Sequence, residues 1–284
     1  MKHVVVHEVG PRDGLQNEQA AVPTSVKIEL INKLSAAGFS DIEATSFVSP
    51  RWVPQLADAA AVMAGIVRAE GVRYSVLTPN LTGYERARDA AADEVAIFAS
   101  ASETFSQKNI NCSIAESIER FRPVLAAAAI DGIPVRGYVS CVANCPYEGA
   151  VAPAVVADVT EHLLKLGCHE ISLGDTTGTG TPEQIVAMLE AVLRCASADQ
   201  LAGHFHDTHH RALDNVDVSL DLGLRGFDSA IGGAGGCPYS PGAKGNLSTT
   251  ALADLLTERG YQTGLDRQKL QQAEDYLISA VLPR

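Results

Sequence analysis

The feature that most constrains the fold is an unbroken alternation, from one end of the chain to the other, of short β-rich runs with longer amphipathic stretches of helical period. Strands separated by helices are joined by crossovers, and crossovers place the strands parallel in a sheet that the helices cover. Eight units can be marked off, with strands over residues 4–8, 41–47, 73–78, 94–99, 135–140, 170–173, 203–206 and 226–230, and a helix fits every gap. Eight units predict a closed (β/α)8 TIM barrel, a fold of about 250 residues. The 284 residues present therefore predict a single catalytic domain over 1–284. A doubly wound open sheet would show the same alternation, so closure rests on the count of eight.

The punctuation agrees. Gly38, Gly71, Gly132, Gly167 and Gly223 each follow an apolar-periodic stretch and precede a strand, where a left-handed helix cap is expected. Pro54, Pro79, Pro153 and Pro182 fall at or near helix starts, where a missing amide proton costs little. The opening MKHVVVHEVG is too short in apolar residues for a secretory segment and reads as the first strand.

Composition narrows the function. Hydrophobic residues make up 46% and charged residues 20%, enough to bury a large core. A net charge of -12 argues against nucleic-acid partners, which are held by clustered Lys and Arg. There is no eighteen-residue apolar run, so no membrane span is expected. The six cysteines are scattered, and Cys141 and Cys145 lack the second pair that a structural zinc site needs. A reducing cytoplasm is the expected location.

In a barrel, chemistry belongs to the carboxyl ends of strands and the loops that follow. Three polar clusters lie there. The first, residues 9–14 after strand one, sets Arg12 beside Asp13 in a turn bounded by Gly and Pro; alone, it reads equally well as a surface ion pair. The second, GHFHDTHH at 203–210, places His204 and His206 two apart on one strand face, so both imidazoles can point inward toward a metal, although strand histidines also serve as core groups. His209 and His210 are expected to begin the next helix and face solvent. The third is the Gly-rich loop 231–246, with six glycines, two prolines and Cys237. Long loops in compact domains are usually lids or binding loops.

Glu43 in strand two and Asp175 after strand six add carboxylates at the same end, each needing a cation or a donor if buried. Asp and Asn oxygens with two His nitrogens form a fairly hard donor set suited to Mg2+ or Mn2+. An arginine, a metal set and a loop cysteine suggest chemistry in which negative charge develops on oxygen and a proton is delivered.

VGPRDGLQNE (9–18), IEATSFVSPRWVPQ (42–55), SASETFSQKNINCS (100–113), GYVSCVANCPYEG (137–149), EISLGDTTGTGTP (170–182), HFHDT (204–208) and GGAGGCPYSPGAKGN (232–246) together resemble the hydroxymethylglutaryl-CoA lyase family, in order and over nearly the whole chain. The resemblance implies cleavage of 3-hydroxy-3-methylglutaryl-CoA to acetyl-CoA and acetoacetate in leucine catabolism or ketone-body formation, with Mg2+ or Mn2+. It implies metal ligands at Asp13, His204, His206 and Asn246, enolate stabilisation by Arg12, proton transfer by Cys237, and acidic site residues at Glu43 and Asp175. An acyl-CoA thioester substrate and a homodimer are also implied.

Three positions depart from the family's pattern. Thr250 stands where a Glu is usual, Gln19 replaces a usual Lys, and His209-His210 replaces a bulky residue followed by Gly. The first raises an alternative substrate, a longer-branched glutaryl-CoA or citramalyl-CoA, since a missing carboxylate behind the ligands changes how they are held. A Claisen-type synthase would share barrel and metal set, but its C-terminal regulatory region has no counterpart in the two dozen residues after the last barrel helix. A catalytically silent barrel is the other rival, and Arg12, both histidines, Asn246 and Cys237 argue against it.

Overall fold

The computed structural model describes residues 2–16, 18–236 and 245–281. Eight parallel strands close into a barrel: β1 (Val5–Glu8), β2 (Asp41–Ser46), β3 (Arg73–Leu77), β4 (Glu94–Ser100), β5 (Val135–Ser140), β6 (Glu170–Asp175), β7 (Leu201–Phe205) and β8 (Gly226–Ser229). Each strand pairs with its sequence neighbours. The cylinder closes where β1 meets β8, Val5 opposite Gly226 and Glu8 opposite Ser229. Helices fill every crossover, and a last helix, Arg267–Ala280, returns to lie against Thr24–Ala36, tied by the Asp266 amide to the Ala37 carbonyl at 2.8 Å.

The period-2 alternation of the strands decides what lies on each side of the barrel wall. One parity is aliphatic or aromatic: Val6, Ile42, Ala44, Val76, Val95, Ile97, Val139, Ile171, Leu173, Phe205 and Phe227 are buried in the main core together with helix residues such as Leu30, Leu163, Met188 and Leu220. The other parity, facing the axis, is unusually polar. Branched aliphatics commonly fill such a barrel, whereas here Glu43, Arg136, Tyr138, Ser172, His204 and Asp228 are all buried and bond to one another across the lumen. Arg136 also reaches Glu170, at 2.6 Å, toward the amino-terminal floor.

Strand positions agree with the sequence reading to within two residues. β6 runs on through Asp175, and β7 starts at Leu201 and ends at Phe205, leaving His206 just past its end in a bridge to Asn246. Gly132 and Gly167 cap their helices with φ of 70° and 116°. Gly71 departs from expectation. Its helix, Ala59–Gly65, stops six residues earlier because Ile66 is extended, and Gly71 turns the chain into β3. His209 and His210 do not begin a helix either. The helix is Ala212–Asp221; the two histidines are exposed in the turn before it, and His210 at φ 55° is left-handed, which a right-handed helix cannot include.

Candidate active site at the carboxyl end of the barrel

The loop after β1 winds a single wide turn, Gly10–Gly14, in which the amides of Arg12, Asp13 and Gly14 converge on the Val9 carbonyl at 3.2, 2.7 and 3.2 Å. One-turn π segments of this kind occur mostly at functional sites. It is anchored from below by Glu8, whose fully buried carboxylate accepts from the Gly10 amide (2.8 Å), the Ile231 amide (2.9 Å) and the Thr249 hydroxyl (2.7 Å). A Cβ at Gly10 would sit 2.5 Å from that carboxylate, so a larger residue would have to displace the Glu8 side chain from its three donors. Burial pushes the Glu8 carboxyl up to about 7 against the pull of its three donors.

The turn presents Arg12 and Asp13 to the mouth. Arg12 is buried and fully committed: Nε donates to Glu43 Oε2 at 2.7 Å, Nη1 to Asp13 Oδ1 at 2.6 Å, and its guanidinium lies 5.3 Å over the Tyr138 ring. Tyr138 donates to the same Glu43 oxygen at 3.1 Å. Burial alone would raise the Asp13 carboxyl, but Arg12, His204 and His206 hold it down at about 2. Asp13 is therefore an anion at any working pH.

Asp13, His204 and His206 each offer a donor atom, and these atoms lie within 4.8 Å of one another, the one such group among the described residues. The two rings stand 5.4 Å apart. His204 Nδ1 bonds Asp228 Oδ2 at 2.9 Å, which leaves Nε2 to act as a ligand. Nδ1 of His206 is buried without a partner, and burial, with His204 nearby, lowers its ring to about 4, so it is a neutral imidazole with a free lone pair. An orphaned buried nitrogen beside an ionised carboxylate fits a cation site.

Asn246 arrives from far along the chain. Residues 245–248 wedge between the ends of β7 and β8: the Asp207 amide donates to the Gly245 carbonyl (3.1 Å), Leu247 to Phe205 (3.0 Å) and Ala230 to Leu247 (3.0 Å). Gly245 passes so close to Gly233 that a Cβ would sit 2.2 Å from its carbonyl oxygen. The Asn246 amide nitrogen then donates to Asp13 Oδ2 at 2.8 Å and to the Ala234 carbonyl at 3.1 Å.

The structure thus gathers Arg12, Asp13, Glu43, His204, His206 and Asn246. Asp175 is buried at the end of β6, but its carboxyl turns into its own loop, accepting from the Gly180 amide (2.9 Å) and the Thr177 hydroxyl (3.3 Å). Cys237 lies outside the described residues. Thr250 is not without a carboxylate neighbour: its hydroxyl donates to Glu274 of the last helix at 2.6 Å. Gln19 is exposed. Glu8, Arg136, Tyr138, Ser172 and Asp228 were missed by the sequence reading. For the lumen residues the signal is parity: Arg136 and Tyr138 are two apart, as are Glu170 and Ser172, among aliphatics of opposite parity, whereas Glu8 shares its parity with Val4 and Val6 and gives none.

Fold and site together define a (β/α)8 barrel with a carboxylate and imidazole cluster able to hold a cation beside a buried arginine at its carboxyl mouth. The chain belongs to the HMGL-like family, whose model matches residues 3–277. It is 53% identical over 280 residues to a mouse 3-hydroxy-3-methylglutaryl-CoA lyase named as cytoplasmic, which covers 99% of this chain and 82% of the relative. It superposes on the HMG-CoA lyase of Brucella melitensis with a TM-score of 0.98 at 60% identity, covering 99% of this chain and 100% of that one. An HMG-CoA lyase from Acinetobacter baumannii, solved with coenzyme A and 3-methylmalate, matches with a TM-score of 0.94 at 42% identity over 98% of this chain and 91% of that one.

Proposed function

We propose that this chain is a carbon-carbon lyase that cleaves 3-hydroxy-3-methylglutaryl-CoA to acetyl-CoA and acetoacetate, with Mg2+ or Mn2+ held by Asp13, His204, His206 and Asn246. The observation that carries the reading is the donor cluster of Asp13, His204 and His206 directly beside buried Arg12. Two nitrogens with carboxylate and amide oxygens suit those two ions. The ion would supply Lewis acidity toward the substrate's oxygens.

The remaining chemistry falls to side chains. The substrate's hydroxyl gives its proton to a base of the site, and its oxygen forms the ketone of acetoacetate. Meanwhile the bond between the hydroxyl-bearing carbon and the carbon next to the thioester breaks, and its electron pair passes into an acetyl-CoA enolate. Arg12 is the cation placed to stabilise it. Glu43 and Asp13 hold the guanidinium in position, so no reorganisation is needed as charge develops. The resemblance assigns the proton donor to Cys237, in the Gly-rich loop, and gives Asp175 a supporting part that suits a residue shaping the β6 loop.

The hydroxymethylglutaryl substrate is favoured over the longer-branched and citramalyl alternatives, because Glu274 brings a carboxylate to Thr250 from another helix. Residues 1–284 act as one catalytic domain in this reading, as the return of Arg267–Ala280 onto Thr24–Ala36 supports. The substrate enters as a CoA thioester, and a homodimer is proposed from the family resemblance. Relatives carry both cytoplasmic and mitochondrial names. Cys112, Cys145, Cys168 and Cys195 stand outside any disulfide, and no helix among the described residues is long and apolar enough to cross a membrane. A reducing compartment, the cytoplasm, fits these thiols.

The test is a product assay. Purified protein with Mg2+ is given a panel of 3-hydroxy-acyl-CoA thioesters, and acetoacetate is measured alongside the other cleavage products. Acetoacetate from hydroxymethylglutaryl-CoA is expected as the dominant product; preferential cleavage of another thioester, or no cleavage at all, would replace the reading.

A further inference from the structure

His204 and Asp13 are connected twice. They meet at the barrel mouth, and they are also joined through the lumen by an unbroken hydrogen-bonded chain. From His204 Nδ1 it passes to Asp228 (2.9 Å), then to Arg136 Nη2 (2.7 Å). Arg136 Nη1 donates to the Tyr138 hydroxyl (3.0 Å), which donates to Glu43 (3.1 Å). Glu43 receives Arg12 Nε (2.7 Å), and Arg12 Nη1 ends the chain on Asp13 (2.6 Å).

Resting on the metal reading above, we infer that Asp228 is a positioning residue that fixes the tautomer and ring orientation of His204, and that Arg136 and Ser172 lock Asp228 for this task. The Asp228 side chain is fully buried. Its Oδ1 takes Arg136 Nη2, while Oδ2 takes Arg136 Nη1 at 3.2 Å, the Ser172 hydroxyl at 2.7 Å and His204 Nδ1. An ionised carboxylate only accepts, so the proton shared with His204 sits on Nδ1 and the lone pair is left on Nε2. The bidentate arginine prevents the carboxylate from rotating away. His206 has no such brace, its Nδ1 being unpartnered. The two histidines are therefore unequal: the His204 ring is aimed by a second group, while His206 is held through its backbone bridge to Asn246.

In Asp228→Asn the amide can present its NH2 group to Nδ1, which forces the proton onto Nε2 and blocks the ligand position. Loss of such a partner typically weakens metal binding about 10–100-fold. Mn2+ binding is measured by titration calorimetry on the full chain for wild type, Asp228→Asn and His206→Ala, with circular dichroism on each. A drop of about 10-fold or more in folded Asp228→Asn is expected. Wild-type affinity in that variant, with weakened binding in His206→Ala, would overturn the inference and leave the metal reading standing. A wild type that binds no Mn2+ would fail the metal reading itself.

Should Asp228→Asn not fold, the wild-type enzyme decides. With 15N-labelled histidine and bound Mg2+, the His204 signals, assigned by their loss in His204→Gln, are expected to show a protonated Nδ1 and an unprotonated Nε2. A proton on Nε2 would refute the inference.

Discussion

Replacing Glu8 by Gln separates the charge of this buried residue from its shape. The carboxylate takes two amides on one oxygen and the Thr249 hydroxyl on the other. A glutamine can keep its Oε1 on the Gly10 and Ile231 amides. Its NH2 can donate to Thr249, whose hydroxyl is free to reverse toward Ser229, 2.9 Å away. The geometry survives while the charge is removed. Burial holds the native carboxyl at about 7 against an ordinary 4.5. The folded state therefore binds this proton more tightly than the unfolded chain. That stability is fully present below pH 4.5 and is lost as pH rises through 7. At about 1.4 kcal/mol per pH unit, the loss amounts to about 3 kcal/mol. Urea unfolding of both proteins at pH 5 and pH 8 reads it directly. The stability of Glu8→Gln relative to wild type is expected to rise by about 2–3 kcal/mol between those two pH values. A constant difference would show that Glu8 is ionised in the fold at both pH values, its three donors outweighing burial.

If Arg12 stabilises the enolate as proposed, Arg12→Met removes a charge that acts chiefly in the transition state and should lower kcat by at least about a hundredfold. It also strands Glu43 with Tyr138 as its remaining donor, so a loss of about 3 kcal/mol in stability is expected, limited by proton uptake at Glu43; a rise in KM alone would contradict the role. Thr250→Glu sets a second carboxylate against Glu274 and should cost about 1–2 kcal/mol, seen as a Tm lower by several degrees, without raising turnover. Faster cleavage of hydroxymethylglutaryl-CoA at unchanged Tm would mean that the position requires an acid Glu274 does not supply. Cys237→Ser should retain substrate and metal affinity within a few-fold and lose two to four powers of ten in turnover, the usual contribution of a positioned acid or base. Full alkylation of Cys237 with activity intact would exclude it as the proton donor.

Much of the molecule is local in origin and was readable along the chain. Alternating periods mark strands and helices because 2.0 and 3.6 residues per turn place apolar side chains on one face. Glycines such as Gly132 and Gly167 end helices because only they adopt positive φ without strain. His204 and His206 are two apart, and the period-2 pleat gives them a shared direction; Arg12 and Asp13 are adjacent in sequence, and the wide turn Gly10–Gly14 presents both to the mouth. Tertiary structure decided the rest, because it depends on which strands stand opposite each other. Closure of β1 on β8 brings Asn246 to Asp13, 233 residues away. It also lets Thr250 receive its carboxylate from Glu274 rather than carry one. The lumen network could not be read from any single strand: the spacing of Arg136 with Tyr138 and of Glu170 with Ser172 shows a shared face but not its partners, and Glu43 and Asp228 look like isolated polar residues in β-rich runs. Only the closed barrel brings them within hydrogen-bonding distance, and burial there makes each charge require the next.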